Sequence, residues 1–118
     1  MNLTVDPSSA TTLYEQVRTQ LIEQIASGEL IAGTKLPTVR QLATDLNVAP
    51  YTVARVYRIL EQDGFLETRG RNGTVVKAKV GTAEEILQVA ANEYASRASE
   101  LGISAEAALD YVQKALRL

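Results

Sequence analysis

Residues 38–60, TVRQLATDLNVAPYTVARVYRIL, hold two helical patterns separated by only three residues. Thr38 and Gln41 have the spacing of a capping box, and TVRQLATDL is long enough for about two helical turns. The turn is Asn47-Val48-Ala49. Pro50 follows at a first helical position, where its missing N–H would have been unpaired anyway. Val53, Val56, Tyr57 and Leu60 then recur at three- and four-residue spacing, and Gly64 stands where a helix-ending glycine belongs. Those four make an inward stripe, so Thr52, Arg55 and Arg58 are left facing out.

The flanking segments complete an architecture around this pair. Thr12 and Glu15 repeat the capping spacing, and Tyr14, Val17, Leu21 and Ile25 give one apolar helix face that stops at Gly28. Residues 1–11 have no periodicity and are expected to form a flexible N-terminal arm, while ELIAGTKL reads as a connector. After Gly64 the pattern changes to strands, FLETR and TVVKAKV, with Asn72-Gly73 between them as a tight hairpin turn. From Gly81 the composition shifts to alanine and glutamate. Thr82 with Glu85 starts a helix over 83–101, Gly102 ends it, and Ser104 caps another over 105–116.

The expected fold is mainly α with a small β-hairpin: a winged helix-turn-helix followed by a two-helix C-terminal dimerisation segment. Its divisions are the arm at 1–11, a winged helix-turn-helix domain at 12–80 and a dimerisation tail at 81–118. Two short helices cannot bury both their faces on a small domain, so Leu87, Ala90, Tyr94, Leu101, Leu109, Val112 and Leu116 are expected at a homodimer interface.

Charge is unevenly spread behind a net of −2: residues 35–80 carry +4 and residues 81–118 carry −3. A basic middle and an acidic end point to a polyanionic partner for the first and a different task for the second. The chain has no cysteine and no histidine, which removes thiolate chemistry, the commonest general base and the commonest metal ligand. No enzyme activity, metal or cofactor is therefore expected. No window approaches the ~20 consecutive apolar residues of a membrane span. The N-terminus lacks a basic leader and an apolar signal core, so the expectation is a soluble, cytoplasmic chain without a membrane partner.

The helix pair and hairpin suit double-stranded DNA for physical reasons. An α-helix fits the major groove, and arginine can donate two parallel hydrogen bonds to guanine O6 and N7. A hairpin can reach a neighbouring minor groove with an arginine, where the potential is most negative.

The segments LYEQVRTQLIEQIASGEL, GTKLPTVRQLATDLNVAPYTVARVYRILEQDGFLETR and GTVV resemble the DNA-binding domain of the GntR family of bacterial transcription regulators. Its two signature blocks are met by Leu36, Pro37, Thr38, Arg40, Leu42 and Ala43, then by Thr52, Val53, Arg55, Tyr57, Leu60, Glu61 and Gly64. The resemblance spans about residues 13 to 76, and the short tail looks like the YtrA-like subfamily. It implies a transcription regulator, with Arg40 and Arg55 reading bases, Thr52 on phosphate and Gly73 at the wing tip. Thr38, Tyr51, Arg58, Arg69 and Arg71 join these as backbone or groove contacts from their surface positions and charge. The wing departs from the usual Gly-x-Gly-Thr-Phe run, having GRNGTV with Val75 in place of phenylalanine.

The function expected is a homodimeric repressor on a palindromic operator, with helix 50–63 in the major groove and wing 65–80 at the minor groove. The alternative is a winged helix that binds protein or RNA. The resemblance also implies a small-molecule effector, expected between the tail and the DNA-binding domain or at the dimer seam.

Overall fold

The computed structural model describes residues 1–78 and 82–118. Thr12, Thr38, Thr82 and Ser104 each accept a backbone N–H three residues further on, and each opens a helix: α1 Leu13–Ala26, α2 Val39–Leu46, α4 Ala83–Glu100 and α5 Ala105–Leu116. Between α2 and α4 lie α3 Pro50–Gln62, β1 Leu66–Thr68 and β2 Thr74–Val76. Only at Thr38 is the reciprocal half of the capping box made, with Gln41 accepting the Thr38 N–H at 3.0 Å. At α1, Glu15 turns instead to Arg18 at 2.9 Å, and that hydrogen bond holds its carboxyl below the usual range.

The inward stripe of α3 is the centre of the core. Val53, Val56, Tyr57 and Leu60 are buried against Val17 and Leu21 of α1, Leu42 and Ala43 of α2, and Leu66 and Val76 of the hairpin. Tyr57 is the polar exception, and its hydroxyl donates to the Pro37 carbonyl at 2.7 Å. Burial pushes its phenol well above the ordinary value, so it stays a neutral donor.

Two features of the wing differ from expectation. Asn72-Gly73 is not a two-residue turn, because Thr68 pairs with Thr74 and residues 69–73 form the loop, with a 3-10 turn at Gly70–Asn72. Glycines at both ends, Gly70 (φ 49°) and Gly73 (φ 70°), supply the left-handed residues this wider loop needs. The second difference is a third pairing partner. The Gly33 N–H donates to the Val76 carbonyl and the Val76 N–H to the Thr34 carbonyl, while the Leu36 N–H donates to the Thr74 carbonyl. The connector thus lies along β2 and ties the wing to the start of α2. β2 ends at Val76, and Lys79 and Val80 of the expected longer strand lie outside the described residues.

The stretch 1–11 has no helix or strand, yet it is not detached. Gln16, Gln20 and Gln24, one turn apart on α1, hydrogen-bond the backbones of Asp6, Thr4 and Asn2 in turn. Leu3 and Val5 pack onto the core edge.

α4 and α5 form an antiparallel pair, closed where Ala98 and Ala108 are buried and the Tyr94 hydroxyl donates to the Ala108 carbonyl at 2.7 Å. Among the described residues, side chains of α4 hydrogen-bond the head of the molecule at Ala32. Gln88 accepts the Ala32 N–H at 3.2 Å, and Asn92 donates to the Ala32 carbonyl at 2.7 Å. The next residue, Gly33, has φ 86° and would bring a Cβ to 3.4–3.6 Å of Asn92 and Val89, so both conformation and space favour glycine there.

Candidate nucleic-acid interface

Asn47 ends α2 in the left-handed conformation (φ 54°), which asparagine tolerates well, and its N–H closes the helix. Val48 packs on the core edge and Ala49 starts α3 with no side-chain cap. The turn therefore fixes α3 by its inner half and leaves the outer half bare. Tyr51 is 71% exposed, Arg55 and Arg58 are exposed, and Thr52 sits half-buried on the flank. Arg40 and Thr38 are exposed at the neighbouring start of α2. Arg40 forms no ion pair with Asp45 among the described residues, so its charge is available to a partner.

The arginines expected to act together differ in how they are held. Arg55 lies over the ring of Tyr14, with Cζ 4.0 Å from the ring centroid. In the wing, Arg69 is tied to Glu67 at 2.6–2.7 Å. Arg71 is exposed and forms no ion pair among the described residues, while Gly73 is half-buried. The Tyr14 contact has no sequence signal, because Tyr14 reads as one more member of an apolar helix face.

The tail presents a second surface. Leu87, Leu101, Leu109 and Leu116 are exposed, as is Ala90; Tyr94 is 40% exposed and Val112 half-buried. Ile86 and Tyr111 add to this apolar area and were not singled out by their spacing. Between wing and α4 lies a cleft of about 470 Å³, at one of the places expected for an effector. It is lined by Lys35, Arg69 and Val75 on one side and Val89, Glu93 and Arg97 on the other. Among the described residues, no group of acidic side chains converges as a metal site would require, and no helix is long and apolar enough to cross a membrane.

Residues 13–76, covering all of α1 to β2, match the profile described as bacterial regulatory proteins, gntR family. The chain belongs to the gntR family of bacterial regulatory proteins. It is a DNA-binding transcription regulator of that family. It is 43% identical to the HTH-type transcriptional regulator Rv1152 of Mycobacterium tuberculosis, over 93% of this chain and 90% of that one. It is 40% identical to the HTH-type transcriptional repressor YtrA of Bacillus subtilis, over 66% of this chain and 60% of that one. Among solved structures, YtrA from Sulfolobus acidocaldarius, a GntR-family transcription factor, is similar at a TM-score of 0.61 and 31% identity. That match covers 99% of this chain and 97% of the other, so it includes the helix pair of the tail.

Proposed function

We propose that this GntR-family chain is a homodimeric repressor that reads a palindromic operator, each subunit placing α3 in the major groove of one half-site. Arg40 and Arg55 contact bases. Thr38, Tyr51, Thr52 and Arg58 contact the phosphate backbone, and the wing meets the minor groove through Arg71, with Gly73 at its tip. Residues 12–80 carry the DNA contacts and residues 81–118 the dimer. The observation that carries the reading is the division of α3: its inner half is wholly consumed by the core, while Tyr51, Arg55 and Arg58 stay exposed, as does Arg40 on α2. Arg71 is preferred to Arg69 because Glu67 already occupies the latter. The similarity to a protein named as a repressor supports the sign of regulation.

The test is a titration of a duplex from upstream of the protein's own gene against random duplex and RNA of equal length. The upstream duplex should win clearly, and its affinity should fall on a log–log salt plot with a slope of about −0.9 for every phosphate contacted. Equal affinity for all three nucleic acids would remove sequence-specific recognition. A reporter gene behind the same upstream region should be more active when the protein is deleted.

Two substitutions separate the parts of the proposal. Leu87→Glu with Leu109→Glu puts carboxylates on the apolar face of the tail, at two side chains mostly exposed in the monomer. Light scattering should find a folded monomer, with operator affinity down by about 10²-fold or more as the second half-site becomes untethered. An unchanged dimer would move the interface elsewhere. Ala49→Asp supplies the side-chain cap that α3 lacks, and should add about 1 kcal/mol to stability in the free protein. It also sets a carboxylate where a phosphate would complete the helix start, so operator binding should weaken while the melting temperature rises. Tighter operator binding would contradict the phosphate placement.

A further inference from the structure

Arg55 has two ways of being held by α1, and only one leaves it free to read a base. Its side chain reaches back from α3 to the start of α1, where Tyr14 and Glu15 are adjacent. An ion pair with Glu15 would occupy N–H groups of the guanidinium. Glu15 hydrogen-bonds Arg18, accepting from Nε at 3.3 Å and Nη2 at 2.9 Å, and acts on Arg55 only through space. Arg55 lies instead over the Tyr14 ring, 4.0 Å from its centroid. Arg55 donates no side-chain hydrogen bond and forms no ion pair among the described residues, so its N–H donors stay open to another partner.

We infer that Tyr14 is a positioning residue for base recognition: its ring holds the Arg55 guanidinium in place while leaving the hydrogen-bonding edge open. The ring is half-buried and packs on the core cluster, so it is itself fixed by the fold. A free arginine on a helix surface must give up its rotamer freedom when it forms the paired hydrogen bonds to guanine. Stacking removes much of that freedom before DNA arrives, so the benefit appears in discrimination between sequences. Arg18 contributes by keeping Glu15 from competing. This inference rests on the reading of Arg55 as a base contact.

The experiment uses the full chain and measures the ratio of operator affinity to random-duplex affinity at one salt concentration. Five proteins are compared: the parent, Tyr14→Leu, Tyr14→Phe, Arg55→Ala and the Tyr14→Leu, Arg55→Ala double variant. Tyr14→Leu keeps an apolar side chain but no π face, and should lower the ratio by about two- to tenfold. Tyr14→Phe should keep the parent's ratio. In the Arg55→Ala background, Tyr14→Leu should change the ratio no further, since its effect passes through the arginine. Thermal melts accompany each titration, and Tyr14→Met replaces the leucine variant if that protein melts too low to titrate. An unchanged ratio in Tyr14→Leu beside a lowered one in Arg55→Ala would overturn the inference. So would a loss that persists in the double variant, or one that phenylalanine fails to restore. If Arg55→Ala itself leaves the ratio unchanged, the base-contact assignment fails first and the positioning role falls with it.

Discussion

Arg40→Ala and Arg55→Ala proteins should melt within a few degrees of the parent and yet lose discrimination for the operator. Both side chains are exposed, so Arg40→Ala should cost no more than about 0.5 kcal/mol and Arg55→Ala about 0.5–1 kcal/mol, the worth of its contact with the Tyr14 ring. Each arginine that pairs with a guanine contributes about 1–3 kcal/mol of discrimination. Each single variant should therefore lower operator affinity by about 5- to 150-fold per half-site contact. Random-duplex affinity should fall far less, because it depends on phosphate contacts made by other groups. Anisotropy titrations of operator and random duplex, at one salt concentration, distinguish the outcomes. Parallel losses on both duplexes would reassign the residue to the backbone, and no loss on either would remove it from the interface.

Leu60→Ala should have the opposite signature, a large loss of stability without any change to the contact surface. Leu60 is fully buried on the inward stripe of α3, among side chains of α1, α2 and the hairpin. Alanine keeps the helix but leaves a void, at a cost of about 2–5 kcal/mol for such truncations. Domains of this size have roughly 5–15 kcal/mol in total, and 1 kcal/mol corresponds to a shift of about 4–8 °C. A fall of at least about 8 °C is expected in a thermal circular-dichroism melt. Operator binding measured well below the new midpoint should be retained. A melting temperature within a few degrees of the parent would mean that the site collapses around the smaller side chain.

The inner and outer halves of α3 were legible because a helix repeats every 3.6 residues, and four apolar positions at that spacing leave little choice of face. Pro50, Thr38 with Gln41, and Gly64 marked the helix ends through local chemistry that needs no tertiary contact. The features that escaped were all long-range or backbone-mediated. The pairing of the connector with β2 involves only residues 33–36, too few for an alternating pattern. The wing loop takes its shape from Gly70 as well as Gly73, so the familiar Asn-Gly signal at its end was misleading. The glutamines that bind the N-terminal stretch read as ordinary polar helix residues. The Tyr14–Arg55 contact joins two helices far apart along the chain, which the fold alone brings together.

The joint at Ala32 is written mostly in main-chain atoms: one peptide N–H, one peptide carbonyl, and a glycine beside them that lets α4 come close. Side chains from the tail grip it, yet it makes almost no demand on side chains in return. A substitution at Arg40 or Arg55 leaves the joint untouched, and so does a change in the outer face of the tail. Either half can therefore be altered without disturbing the other's grip, like a lens and a mount that share one standard thread.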